Sequence, residues 1–151
     1  MFGIFRRQNK GNVALFEGAL AASRNPVLYR DLGVPDTFDG RFDALLLHLW
    51  PVFRDMPDPR TAQDLYDLTF RRMELALRES GSGDLAVGRH AREMMKAFYG
   101  RLTAYNTAQS EADWAAALRR NLYGTIRDEN FVVPAAMVAY AQGLQNTSKA
   151  A

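Results

Sequence analysis

Pro35-Asp36-Thr37-Phe38-Asp39-Gly40-Arg41-Phe42-Asp43-Ala44-Leu45-Leu46-Leu47-His48-Leu49-Trp50-Pro51 is the segment around which the rest of the chain is organised. Asp36 or Thr37 can accept hydrogen bonds from the first free N–H groups of a helix, and Phe38, Phe42, Leu45, Leu46 and Leu49 recur at helical spacing. Leu47 and Trp50 fall off that stripe, so the helix is apolar around more than half its circumference toward its C-terminal end. That pattern suits the central helix of a bundle. Pro51 lacks an N–H and its ring meets the carbonyl of residue 47, so the helix is expected to stop or kink near Trp50.

Upstream, Val13, Phe16 and Leu20 with the intervening alanines predict a helix from a cap at Asn12 to Ala22. Asn25-Pro26 breaks it, Pro26 starts a short helix to Leu32, and Gly33 ends that helix. Downstream, the three prolines between Pro51 and Pro59 predict a loop, followed by a helix with a Thr61/Asp64 capping box and an apolar face of Leu65, Leu68, Met73 and Leu77. Ser80-Gly81-Ser82-Gly83 ends it. After a short amphipathic entry at Asp84 to Gly88, a long run places Val87, Ala91, Met94, Met95, Phe98, Leu102 and Tyr105 on one side. Arg89, Arg92, Glu93, Lys96 and Arg101 fall on the other. Gly100 interrupts that run, which predicts a kink or a close helix contact. Ser110 caps a helix ending at Gly124, and a last helix spans about Val133 to Leu144. With no alternating apolar and polar segment, the fold class is all-α: a single-domain bundle of six or seven helices. The bundle is expected over residues 12–145, between a basic flexible N-terminus (1–11) and a disordered tail (146–151).

Composition excludes several kinds of function. The chain contains no cysteine, which removes disulfides, thiolate metal sites and cysteine nucleophiles. Its net charge is +2, from arginines scattered among carboxylates, so the surface reads as solvated and no nucleic-acid partner is expected. Phe2, Ile4 and Phe5 beside Arg6, Arg7 and Lys10 could rest in a lipid headgroup layer, against the alternative of a frayed terminus. Glu17 and Gly18 spoil a signal-peptide apolar region, and no 18 consecutive apolar residues occur.

The two histidines, His48 and His90, have no partner at metal-ligand spacing, so neither a metal nor a cofactor is expected. His48 reads first as a histidine bonded to a neighbouring helix, with a haem-handling or small-enzyme role as the alternative. Asp36, Asp39 and Asp43 share a helix face, where the macrodipole alone favours acids. No nucleophile elbow, phosphate loop or dinucleotide fingerprint is present, so an enzyme is not expected. Aromatic residues and arginines, the types enriched where proteins meet, concentrate in Phe42 to Phe53 and in Ala97 to Tyr105. Trp50, Tyr99, Arg101 and Tyr105, with His48 behind them, are therefore the candidate partner-binding residues. In the competing reading Tyr99 and Arg101 bridge helices. Phe2, Phe5, Arg6 and Arg7 are the candidate membrane-surface residues.

Taken in order, Tyr29 to Gly33, Pro35 to Asp39 with Phe42 and Leu47-His48-Leu49-Trp50, Asp84 to Gly88, Ala97 to Arg101, Ala104-Tyr105 and Leu118 to Gly124 resemble the ubiquinol-cytochrome c chaperone family. The resemblance implies an assembly factor for the cytochrome bc complex, respiratory complex III, in a bacterial form consisting of the domain alone. It implies transient binding of newly made cytochrome b or another subunit, with a small helper protein as a further partner. It also implies a cytoplasmic location, with peripheral contact at the inner face of the inner membrane. A generic membrane-surface scaffold is the remaining alternative.

Overall fold

The computed structural model describes residues 10–81 and 83–147, and all regular structure among them is helical. Phe2, Phe5, Arg6 and Arg7 lie outside the described residues. Eight helices follow in chain order: α1 Lys10–Ser23, α2 Pro26–Arg30, α3 Phe38–Arg54, α4 Pro59–Glu79, α5 Asp84–Lys96, α6 Phe98–Thr107, α7 Glu111–Asn121 and α8 Ala135–Gln145. Their contacts divide the chain into two compact units. One combines the residues up to Gly18 with Met56–Ala97, and the other combines Ala19–Asp55 with the residues from Phe98 onward.

In the first unit α4 packs on α5. Asp58 caps α4, accepting from the Thr61 N–H at 2.8 Å, and Pro59 occupies the first helical position. The cap therefore sits three residues before the expected Thr61/Asp64 box, because a proline's fixed φ and missing N–H suit the first turn. Leu65, Leu68, Met73 and Leu77 of α4 and Val87, Ala91 and Met95 of α5 are buried. Asn12 is inside α1, not its cap; its Nδ2 donates to the Thr61 carbonyl at 3.1 Å. Arg72 lies 4.9 Å from the Phe16 ring centre and pairs with Glu17 at 2.7 Å, which ties α4 to the start of α1.

In the second unit α3 packs against α6 and α8, and α7 packs against both of those helices. Thr37 caps α3, accepting from the Gly40 N–H at 3.0 Å. Gly40 is there because the chain doubles back: a Cβ at this position would stand 1.9 Å from the Pro35 carbonyl oxygen.

Two expected breaks fall elsewhere. The α3 helix does not stop at Trp50 but continues through Pro51 to Arg54. The added turn places Phe53 against Phe98, ring centres 5.0 Å apart. It also lets Arg54 donate to the carbonyls of Gln145 and Thr147 at 3.0 Å, which satisfies acceptors left free at the end of α8. Those contacts offset the hydrogen bond that Pro51 cannot make. The second break lies at Ala97, between α5 and α6, and not at Gly100, around which a Cβ would meet nothing within 4 Å.

At the centre of this unit Trp50, Tyr105 and Trp114 form a three-ring cluster with centre-to-centre distances of 5.3 to 5.8 Å. Both indole N–H groups are satisfied: Trp50 donates to Asn106 Oδ1 at 2.6 Å, and Trp114 donates to Gln145 Oε1 at 3.3 Å. Buried aromatic rings with a bonded polar edge are rigid, high-payload core elements.

Candidate functional site

The start of α6 brings together what the sequence singled out. Phe98 is fully buried, and Tyr99 stands edge-on to it, ring centres 5.2 Å apart and planes at 86°. Tyr99 itself is 55% exposed. Tyrosine is among the residue types enriched at binding hot spots. Two residues on, Arg101 turns inward and its Nη1 pairs with Asp43 of α3. The Asp43 side chain is buried, and that burial pushes its carboxyl up to about 6 against the opposing pull of Arg101. Arg101 is thus committed first to an internal ion pair. The bridging reading fits Arg101, while Tyr99 is exposed.

Trp50 and Tyr105 are not surface anchors. Their side chains are 1% and 0% exposed, because the off-stripe positions at the end of α3 face the ring cluster and not solvent. Tyr105 carries a buried hydroxyl with no hydrogen-bond partner among the described residues. Burial, followed by the nearby Asp43 charge, pushes its pKa upward, so it stays a neutral phenol.

His48 is also enclosed, at 5% exposure. Its Nδ1 lies 2.7 Å from the Ala44 carbonyl, which can only accept, so Nδ1 carries the proton. The bare Nε2 then accepts from the Tyr140 hydroxyl of α8 at 2.5 Å. Desolvation lowers the histidine's pKa and keeps it neutral. Both ring nitrogens are used within the fold, as the helix-bonded reading expects, and an iron ligand at Nε2 would first have to displace Tyr140. Among the described residues no three His, Asp or Glu side chains converge as a metal site requires.

Sequence reasoning missed an open groove of about 360 Å³ between α6 and α7. Ala104, Ala108, Ala116 and Ala117 line it together with the polar side chains of Thr107, Asp113, Arg120 and Asn121. Alanine repeats on two separate helices carry no signal until packing sets them side by side.

The family model for ubiquinol-cytochrome c chaperone matches residues 30–149 of the chain. The chain belongs to this family. Among solved structures it is similar to the crystal structure of the Cbp3 homolog from Brucella abortus, at 31% identity and a TM-score of 0.70, over 99% of this chain and 90% of that one. No curated protein matches.

In this member of the family, several of the sequence segments behind the resemblance meet in space. Tyr123 donates to the Leu32 carbonyl at 2.7 Å, so the 118–124 segment is fastened to the 29–33 segment. Arg119 donates to the carbonyls of Tyr123, Ile126 and Asp128 at 2.6 to 3.2 Å and lies over Phe131, which holds the loop after α7 in place. The Asp43–Arg101 pair joins two more. These segments thus carry the architecture of the second unit. Tyr99, in the same segment as Arg101, is more than half exposed while its ring rests against Phe98.

Proposed function

We propose that this chain is an assembly chaperone of the cytochrome bc complex that transiently holds newly made cytochrome b, or another subunit of the complex, until a cofactor or partner subunit displaces it. The family match over residues 30–149 supports the class of function, and the exposed ring of Tyr99 supports the surface. Along α6 the exposed residues Tyr99, Thr103, Asn106 and Thr107 share one side of the helix, and Thr107 also lines the groove against α7. A client segment laid along that side meets one aromatic anchor with hydroxyl and amide groups. Binding alone does the work, with no bond made or broken. The affinity is modest, since a holder that does not release blocks assembly. No described helix is long and apolar enough to cross a membrane, and the working position is peripheral, at the inner face of the inner membrane, with a small helper protein as a second partner.

Tyr99→Ala tests this surface cleanly, whereas Arg101→Ala also opens an internal ion pair. The helical circular dichroism and melting temperature of Tyr99→Ala are expected to match wild type, while cytochrome b recovered with the tagged protein from membranes of a respiring host falls severalfold. Unchanged recovery would reject the surface. Failure of the wild-type protein to enrich any cytochrome bc subunit would reject the client.

A further inference from the structure

The outer face of α5 carries a pattern that client holding does not use. Leu85, Arg89, Arg92 and Lys96 stand at i, i+4, i+7 and i+11, within about 60° of arc at 100° per residue. All four are exposed, and Leu85 is 92% exposed. The opposite face, Val87, Ala91 and Met95, is buried, so packing fixes which side points outward. Among the described residues Arg89 and Arg92 have no carboxylate partner. Lys96 has a loose one, Glu93 at 3.7 Å, with both side chains mostly exposed. Asp84, beside Leu85, is balanced by Arg78 at 3.5 Å.

We propose that this row is the face with which the protein rests on an anionic phospholipid surface. Leu85 enters the acyl boundary, and Arg89, Arg92 and Lys96 lie against headgroup phosphates. Charge complementarity selects the occupant: exposed cations in a line with an exposed leucine at one end match a layer that is anionic outside and apolar beneath. An acidic protein patch or an RNA would satisfy the cations but would leave Leu85 in water. Each cation near such a surface strengthens attachment about fivefold at low salt, and burying the leucine adds about tenfold.

The assignment goes beyond client holding, and its test contains no client. The full-length protein is sedimented with vesicles of phosphatidylcholine alone and of phosphatidylcholine mixed with phosphatidylglycerol, across a salt series. Salt-sensitive binding to the anionic vesicles only is expected, weakened about 100-fold in Arg89→Gln/Arg92→Gln/Lys96→Gln and about tenfold in Leu85→Ser. Arg30→Gln/Arg127→Gln, which removes two exposed cations of the second unit, is expected to bind as wild type. Leu85→Trp supplies a second readout, since both native tryptophans are buried, and its added emission is expected to shift to the blue on anionic vesicles. Undiminished binding by the triple variant would overturn the assignment. So would loss confined to Arg6→Gln/Arg7→Gln, or binding to polyuridylate RNA without binding to vesicles.

Discussion

Arg101 and Asp43 show how a residue read for the surface can be held by the interior. Removing one partner of a buried ion pair leaves an uncompensated charge, and Arg101→Ala is expected to cost about 3 kcal/mol at neutral pH. The cost should shrink in acid, because an abandoned Asp43 can take up a proton. Chemical denaturation of wild type and variant at pH 5 and pH 8 checks this. The sign for wild type follows from the raised carboxyl pKa, from 3.8 to about 6. Asp43 binds its proton more tightly folded than unfolded, so its contribution is full below pH 4 and is lost as pH rises through about 6. Asp43→Asn is expected to remove that part of the slope, measured as the difference between the two stability profiles. His48 has the opposite sign: its pKa is lowered, so its contribution is present above about pH 6.5 and is lost as pH falls through the lower folded value. Tyr140→Phe strips the Nε2 acceptor of its donor in a closed site, a loss of about 1–2 kcal/mol in the same denaturation measurement.

At the scale of elements, two glycines reverse roles. Gly100, whose place in an apolar run suggested a contact, has open space around it, so Gly100→Ala is expected to raise stability by up to about 1 kcal/mol. Gly40 has backbone where a Cβ would go, and Gly40→Ala is expected to lower the melting temperature by several degrees because the Val34-Pro35 link must move. Pro51 interrupts the hydrogen bonds of a helix that persists regardless, so Pro51→Ala is expected to stabilise by about 2 kcal/mol, the helical gain less the freedom returned to the unfolded chain. Helix existence and the caps of α3 and α7 were legible in the sequence, because Thr37 and Ser110 act on neighbours within three residues, whereas Asn25, read as a break, turned out to cap α2. The persistence of α3 past Pro51 was not, since the groups that hold its last turn lie in Phe98 and at the end of α8. Tyr99 was legible from helical phase alone. The inward turn of Arg101 was not, because its partner is 58 residues away. Trp50 and Tyr105 were misplaced for the same kind of reason: periodicity shows which side of a helix is apolar, but not how many neighbours enclose it.

For the whole molecule, the division into two units changes how stability measurements read. The chain's two tryptophans, Trp50 and Trp114, both belong to the second unit, so their emission follows that unit while circular dichroism sums over both. A core truncation in the first unit, such as Met73→Ala, is expected to cost about 2–4 kcal/mol. Denaturant midpoints followed by circular dichroism check that figure, and comparison with tryptophan emission shows whether the second unit melts with the first. Several of the segments that carry the resemblance take part in contacts of the second unit: Tyr123 is fastened to Leu32, and Arg101 joins α6 to α3.

Both units are assembled from chain that is not continuous, and this sets an order on biosynthesis. When Ala97 leaves the ribosome, all of the first unit has been made, while α3 still lacks α6 and α8, the helices that cover it. Leu46, Leu47, Leu49 and Trp50 must wait, uncovered, until about fifty further residues are translated. A released chain ending at Ala97 is therefore expected to bind a dye such as anilinonaphthalene sulfonate, and the full chain is not. A member of a chaperone family is, during its own synthesis, briefly in need of shelter itself.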